Sequence, residues 1–408
     1  MENSKSYSSP KLVKEIQNGF VVRPEVANEV LTTSVHISAA EAKIARSKER
    51  CLYNVTYAEP GMDAKQNLTR LIQDGYNPSR KNLYIVGQIM DNKEAQYGIQ
   101  CLTFVGDENK VRDHESTLDD KILQKYKTLS EIHACIEPVF LFFESKAATQ
   151  ELETLITKTV KEREPFITVS RPAEKVTHSF WEFTEAETEK ALEILNKNVE
   201  VFVIADGHHR MSAARKYYKN HKQPNCESEP DFAYMMSIIY PSCFLKLQQF
   251  DRHIRKSEYL FDKEKFLTQL SKTCDITRVD SQEKAKPEFS NNFGLIFKDE
   301  FYQVKFKTSL SRTESGVSSL DVSRISQILE ETLGIKDSKS DHYLDFIPGG
   351  EDMVVTDSDI MGILTYPCTL EDVIHVARKK IAQKPMPPHS TLFLPKPLSG
   401  LLIELWKE

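Results

Sequence analysis

The sequence has 408 residues, of which 28% are charged and 40% hydrophobic, a mixture typical of water-soluble globular proteins. Its formal net charge of −6 argues against nucleic acid or an anionic membrane as a partner. No apolar run approaches the roughly 20 residues that cross a bilayer, and the first ten residues lack the apolar core of a secretory signal. The seven cysteines never form a CxxC pair, so we expect a cytoplasmic protein with reduced thiols.

The amino-terminal part of the chain predicts a helix, a hairpin, a strand and a second helix. Leucine and isoleucine recur at helical spacing before Gly75, and apolar β-branched runs follow. The runs at 83–90 and 97–105 are separated by a short polar tip, which indicates a hairpin. The predicted elements are a helix at 62–75, the two hairpin strands, a buried strand at 137–145 and a helix at 149–161.

The remaining elements continue the alternation of helices and strands. A helix is predicted after Thr184, because Glu187 occupies the capping-box position. Further elements are strands at 199–205, 233–241 and 401–405, and helices at 211–220 and 320–335. We predict a mixed α/β protein with three regions, 1–147, 148–257 and 258–408.

The segment Asp206-Gly207-His208-His209-Arg210 stands between a buried strand and a helix. Gly207 permits a close backbone approach to a ligand, and the helix that follows favours an anion at its start. Arg210 offers a planar fork that matches phosphate oxygens. The histidines suit proton transfer near neutrality, and Asp206 suits a divalent cation or proton acceptance. An alternative is a capped turn with exposed polar side chains, but such a dense polar group directly after seven apolar strand residues favours a chemical role.

A second polar cluster runs from Asp113 to Lys121. His114 and Glu115 supply a base and an acid, and Thr117 and Lys121 form an (i, i+4) pair if a helix starts there. On the residues alone, the cluster is more typical of a helix start with acidic first-turn residues, which needs no catalysis. If the cluster is functional, we expect it to face the DGHHR turn across a cleft between regions.

Three further positions are weaker candidates for substrate contact: Trp181, Arg252 and His253. A tryptophan ahead of a helix is more often a core anchor. The segment Asp251-Arg252-His253 is flanked by apolar residues, which indicates a strand with one polar face. The sequence has no GxxxxGK[ST] loop, no GxGxxG after a strand and no protein-kinase series of motifs.

The stretch VFVIADGHHRMSAARKYY resembles the signature of a widespread family named for its DGHHR motif. DHESTLDDK is similar to that family's HExT…K segment, LDVSRISQIL to its LDVxxLHxLI helix, and MPPHSTLFLPKPLSGLLI to its MPPKSTYFxPKxxSGL tail. The tail departs from the pattern at His389, where lysine is usual. The resemblance covers most of the chain.

The turn also resembles the phosphate-binding turn of the ParB/sulfiredoxin-like superfamily, whose DGHHR enzymes are free L-serine kinases. This resemblance implies a ParB/sulfiredoxin-like core flanked by additional α/β regions. It implies Asp206 near metal and nucleophile, and Gly207, His208, His209 and Arg210 around donor phosphates. Sulfiredoxin carries a cysteine inside its turn, whereas this chain carries histidine, so sulfinic-acid repair is not expected.

The resemblance therefore implies a Mg²⁺-dependent phosphotransferase that converts L-serine into O-phosphoserine. Asp206 with His208 and a nearby Glu182 or Glu115 would provide the acid–base chemistry, while His114, Thr117 and Lys121 would join the phosphate site. The absence of a Gly-rich nucleotide loop favours pyrophosphate over ADP or ATP as donor. Two alternatives remain open: a ParB-like nucleotide-binding switch, and a non-catalytic sensor of phosphate or an amino acid.

Overall fold

The structure is a computed structural model that describes residues 10–33, 39–58, 62–90, 95–172, 175–223, 228–255, 261–308, 316–335, 343–349, 353–356, 358–378 and 385–407. The chain divides into two compact units. Unit 1 consists of Met1–Arg112, Thr117–Leu245 and Pro395–Glu408, and unit 2 of Asp113–Ser116 and Lys246–Leu394.

The strands of unit 1 are β1 (Val13–Lys14), β2 (Gly19–Val22), β3 (Thr32–Thr33), β4 (Tyr76–Pro78), β5 (Tyr84–Met90), β6 (Gln96–Phe104), β7 (Val111–Arg112), β8 (Ala134–Cys135), β9 (Val139–Phe143), β10 (Ile167–Arg171), β11 (Val176–Glu182), β12 (Phe202–Asp206), β13 (Tyr234–Pro241), β22 (Leu398–Ser399) and β23 (Leu402–Leu405). Its helices are α1 (Ala27–Val30), α2 (Ala39–Ser47), α3 (Tyr53–Thr56), α4 (Ala64–Gly75), α5 (Asp119–Ile132), α6 (Lys146–Glu162), α7 (Glu185–Lys197) and α8 (His208–His221).

Unit 2 contains the strands β14 (Lys246–Gln248), β15 (Phe250–Arg255), β16 (Cys274–Val279), β17 (Asn292–Phe297), β18 (Glu300–Phe306), β19 (Leu344–Pro348), β20 (Asp359–Thr365) and β21 (Leu392–Leu394). Its helices are α9 (Lys263–Leu270), α10 (Gln282–Ala285), α11 (Asp321–Leu333) and α12 (Leu370–Arg378).

A nine-stranded sheet dominates unit 1, with the order β10-β11-β5-β6-β13-β9-β12-β7 and β1 paired to β6. Its interior strand β9 is buried along its whole length, and it pairs in parallel with β13 and antiparallel with β12. The sheet therefore holds the DGHHR turn at the end of β12. A smaller sheet with the order β4-β2-β23-β8 joins segments from both ends of the chain.

Unit 2 is built on a six-stranded sheet with the order β16-β18-β17-β20-β15-β19. Phenylalanine, leucine and isoleucine side chains from this sheet form a core with the apolar faces of α9 and α11. Gly334 follows the last residue of α11 in the left-handed conformation common at helix C-termini.

The predicted mixed α/β class is confirmed, and the predicted local elements are present with ends shifted by a few residues. Thr184 and Glu187 form the predicted capping box. The hairpin of β5 and β6 is also present, but residues 91–94 of its tip lie outside the described residues.

The grouping of the chain differs from the three consecutive regions expected. The boundary expected at 147 lies inside unit 1, because β9 before it pairs with β12 and β13 after it. The change of unit after Leu245 lies 12 residues before the boundary expected at 257, and the segment from Pro395 onwards belongs to unit 1. The expected boundaries were based on local composition. The units are instead determined by strand pairing, which joins segments that are distant in sequence.

Among the described residues, no helix combines the length and apolarity that crossing a membrane requires.

Candidate active site

The DGHHR turn has a backbone that only glycine adopts readily. Gly207 has φ +96° and directly precedes α8, while Asp206 ends β12 after a register irregularity in its pairing with β9. A Cβ atom at position 207 would lie 3.0 Å from Nε and Nη2 of Arg210. The glycine therefore permits both the turn and the close approach of the Arg210 side chain.

Asp206 is held by one cation on each carboxylate oxygen. Nη2 of Arg210 donates to Oδ2 at 2.5 Å, and Nζ of Lys396 donates to Oδ1 at 2.9 Å. Burial by itself would raise the pKa of Asp206, but Lys396 and Arg210 outweigh it and hold that pKa well below its usual value. Asp206 is therefore ionised at neutral pH.

The guanidinium of Arg210 donates hydrogen bonds to two acceptors, the Asp206 carboxylate and the carbonyl oxygen of Pro138. The residue is only 9% exposed. Because a buried guanidinium needs hydrogen-bond acceptors, these contacts fix it beside the start of α8.

Glu137, which the sequence analysis did not single out, adds a second carboxylate to this neighbourhood. It accepts a hydrogen bond from Nζ of Lys125 at 2.6 Å. Burial would raise the pKa of Glu137, but the nearby Lys125 and Arg210 lower it overall. Three cationic side chains, Arg210, Lys396 and Lys125, therefore lie near the carboxylates of Asp206 and Glu137.

The two histidines of the turn have different surroundings. His208 is 8% exposed and lies close enough to Asp206 to stabilise its ionised form when it is protonated. His209 accepts a hydrogen bond at Nε2 from the backbone N–H of Leu118, at 3.0 Å. A neutral His209 with this contact carries its proton on Nδ1, and it fixes the start of α5, which packs against α8.

The second predicted cluster is divided between the units. Thr117 and Lys121 belong to unit 1, as does the DGHHR turn. Helix α5 begins only at Asp119, so Thr117 precedes it and does not form an (i, i+4) pair with Lys121. Lys121 lies exposed in the first turn of α5.

His114 and Glu115 belong to unit 2. His114 is fully buried, with Nε2 lying 3.0 Å from Oγ1 of Thr391. Glu115 accepts at Oε1 a hydrogen bond from the backbone N–H of His389, whose φ of +54° is unusual for a non-glycine residue. The expected cleft shared with the DGHHR turn stays a prediction.

Trp181 and Glu182 do not lie beside Asp206. They are on β11, separated from β12 by four strands, so Glu182 is five strand spacings away, roughly 24 Å along the sheet. Nε1 of Trp181 donates to the carbonyl of Arg163, and Glu182 accepts from the Asn82 amide at 2.8 Å. These contacts give both residues a structural role in the sheet.

Arg252 and His253 lie on β15 of unit 2. The expectation of a strand with one polar face is wrong, because Asp251 and Arg252 are consecutive and both buried. Arg252 donates to the carbonyl of Phe250 at 2.5 Å, and burial lowers the pKa of Arg252 to about 10. Nε2 of His253 lies 3.3 Å from a carboxylate oxygen of Asp359.

Asp206 does not fit the role of a protein ligand for Mg²⁺ in this arrangement. Each of its oxygens already contacts a cation, and the described residues contain no group of three or more histidine, cysteine or acidic side chains placed to hold a metal. Mg²⁺ usually requires several oxygen ligands in near-octahedral geometry. We therefore derive no catalytic step through a metal at Asp206.

Lys396 ends the segment HSTLFLPK, whose serine, threonine and lysine could contact phosphate by their chemistry, although most such tails simply pack. Its segment, FLPKPLSGLLI, resembles the family's carboxyl-terminal pattern, but nothing in the local sequence pairs Lys396 with a residue 190 positions earlier. Its side chain is 17% exposed.

No curated protein matches the chain. Solved structures with partial likeness include SbnI with a C-terminal truncation from Staphylococcus aureus, at 9% identity and TM-score 0.38, covering 73% of this chain and 85% of that one. A free serine kinase in complex with AMP matches at 12% identity and TM-score 0.36, covering 72% and 87%. Scores this low do not establish a common fold. The family model described as "Protein of unknown function (DUF1015)" matches residues 23–323, well over half of the sequence, and the chain therefore belongs to that family.

Proposed function

We propose that this protein is a small-molecule phosphotransferase that phosphorylates the hydroxyl of free L-serine. The observation that carries the proposal is the cationic surrounding of Asp206 at the start of α8, where Arg210 and Lys396 flank a glycine turn. Such an arrangement favours an anion, because the positive end of the α8 dipole and two cations converge on one place. The resemblance of the turn to that of DGHHR serine kinases supports the choice of acceptor.

The proposed chemistry needs few protein groups. The serine hydroxyl oxygen forms a bond to the donor phosphorus, while the bond from that phosphorus to its bridging oxygen breaks, and the leaving phosphate keeps the electron pair. The hydroxyl proton passes to Asp206, with His208 beside it as a second acceptor. Arg210 compensates the negative charge on the transferred group.

The donor is proposed to be pyrophosphate, since the sequence has no Gly-rich loop that would hold a nucleotide. ADP and ATP are the competing donors. Pyrophosphate, ADP and ATP all carry phosphate oxygens with two or more negative charges. Each would therefore bind the same cations, Arg210 and Lys396.

The test is incubation of the purified full chain with L-serine and pyrophosphate, ADP or ATP in separate reactions, each with and without Mg²⁺. Mass spectrometry would measure O-phosphoserine, and D-serine and L-threonine serve as acceptor controls. We expect product from L-serine with pyrophosphate.

The absence of product with every donor would overturn the proposed reaction. If pyrophosphate nevertheless bound, the site would be that of a non-catalytic phosphate sensor. Product from ATP alone would correct the donor and keep the reaction.

A further inference from the structure

A buried amide in the large sheet of unit 1 holds the backbone of the segment that carries Lys396. Gln88, on β5, is 1% exposed. Its Nε2 donates to the carbonyl oxygens of Pro395 at 3.3 Å and Lys396 at 3.0 Å. These hydrogen bonds span more than 300 positions of sequence.

Tyr240 fixes the orientation of that amide. Its hydroxyl donates to Oε1 of Gln88 at 2.6 Å, and burial raises the pKa of Tyr240 far above its usual value, so it remains a donor. Because the oxygen of Gln88 faces Tyr240, the NH₂ group faces the two carbonyls. The amide thus has a partner for both of its polar atoms, as burial requires.

Lysine has a long and flexible side chain, and the reach of its ammonium depends on where the backbone is held. With its carbonyl bound to Gln88, Lys396 extends its ammonium to Oδ1 of Asp206. A chain of direct contacts therefore runs from Tyr240 through Gln88 and Lys396 to Asp206.

We propose that Lys396 is a further donor-binding residue and that Gln88, oriented by Tyr240, is its positioning residue. This inference rests on the proposed function. An incoming pyrophosphate carries more negative charge than a carboxylate, so it draws the ammonium of Lys396 from Asp206 towards a phosphate oxygen. Asp206 then has one cation fewer and becomes a better acceptor for the hydroxyl proton.

A purely structural role for Gln88 would have a different signature. If Gln88 only secured the segment around Pro395, its loss would lower the melting temperature without a specific link to Lys396. Functional positioning predicts that the effects of changing Gln88 and Lys396 on donor binding are coupled, which a double-mutant cycle measures.

The experiment compares Gln88→Leu, Lys396→Met and the double variant, each in the full chain. Isothermal titration calorimetry measures the binding of inorganic pyrophosphate, and the melting temperature is recorded in parallel. We expect each single variant to weaken pyrophosphate binding by about 10- to 100-fold, as for the loss of a charge-assisted contact. The double variant should bind no more weakly than Lys396→Met alone.

The matched control is Gln100→Leu. Gln100, on the adjacent strand β6, is also 1% exposed, but its Nε2 contacts the sulfur of Met236 rather than the carboxyl-terminal segment. We expect this variant to change the melting temperature and leave pyrophosphate binding unaltered. Lys396→Gln, which can still donate to Asp206, replaces Lys396→Met if the latter does not fold.

Additive losses in the double variant would overturn the positioning role of Gln88, and unchanged binding in a folded Lys396 variant would overturn the donor-binding role of Lys396. A wild-type protein that makes O-phosphoserine while the Lys396 variants bind pyrophosphate normally would reject this inference alone. A wild-type protein that neither binds pyrophosphate nor makes product would reject the proposed function and this inference together.

Discussion

Without a bound donor, Asp206 is surrounded by groups that make it a strong counter-ion and a weak base. Two cations lie on its oxygens, and the pKa of the carboxyl is held well below its usual value by them against the effect of burial. Its charge therefore contributes to stability as well as to the chemistry we propose.

Replacement of Asp206 by asparagine is predicted to abolish phosphoryl transfer and to lower the unfolding free energy at pH 7 by on the order of 1–3 kcal/mol. The folded-state pKa is depressed, so the stabilisation is complete above the unfolded-state pKa of about 3.9 and is lost as the pH falls towards the folded-state value. Urea unfolding of wild type and Asp206→Asn should therefore differ by a constant amount at pH 5–7, and the difference should shrink progressively as the pH falls below about 4.

Asp120→Asn is the control for this series, because Asp120 is exposed in the first turn of α5. Its unfolding free energy should remain close to that of wild type throughout. A constant difference between wild type and Asp206→Asn down to pH 2 would contradict the ion-pair interpretation.

Arg210→Lys is predicted to lower kcat/KM by about 10- to 100-fold, since an ammonium cannot reproduce a fork that engages both Asp206 and Pro138. Steady-state kinetics of O-phosphoserine formation would measure this loss. Arg215→Lys provides the comparison, because Arg215 lies on the same helix, is also buried and donates to the carbonyl of Val111. Equal losses of activity in the two variants would assign Arg210 a structural role only.

At the scale of the element, the junction between β12 and α8 depends on Gly207. Gly207→Ala is predicted to destabilise the protein by about 1–2 kcal/mol through its left-handed backbone and to weaken pyrophosphate binding by displacing Arg210. Gly334→Ala has a comparable backbone cost at φ +72°, but its Cβ would meet nothing within 4 Å. Urea unfolding should show similar destabilisation in both variants, and calorimetry should show weaker pyrophosphate binding only for Gly207→Ala.

The strand β23 contains a buried carboxyl, Glu404, that accepts hydrogen bonds from the backbone N–H groups of Gln17 and Asn18. Burial raises the pKa of Glu404 to about 7. A raised pKa means that the folded state retains a proton which the unfolded state has lost, so this residue lowers stability as the pH rises from about 4.5 to 7. The decrease is at most about 3 kcal/mol.

Glu404→Gln is predicted to remove that decrease, and urea unfolding at a series of pH values would measure it. Glu189→Gln, at an exposed position on α7, should retain the pH dependence of wild type. An identical pH dependence in wild type and Glu404→Gln would refute the raised pKa.

At the scale of the whole molecule, the local parts of the site were predictable and its long-range contacts were not. The apolar run before Asp206 and the glycine after it identify the strand-to-helix turn without reference to other segments. Lys396 contacts Asp206 across 190 positions of sequence, and Gln88 contacts the Lys396 carbonyl across 308 positions. Which distant strands pair is set by tertiary packing, and the local pattern of one strand does not identify its partner.

The distance in sequence between Asp206 and Lys396 has a consequence for biosynthesis. When the ribosome has added Asp206, the lysine that completes its ion pairs is still 190 codons from being translated. Until Lys396 has been added and has left the exit tunnel, Oδ1 of Asp206 lacks the cation that it contacts in the folded protein. A nascent chain arrested before Lys396 would contain the DGHHR turn without the cation that we assign to the donor, so on our proposal it would bind pyrophosphate more weakly than a chain that includes Lys396.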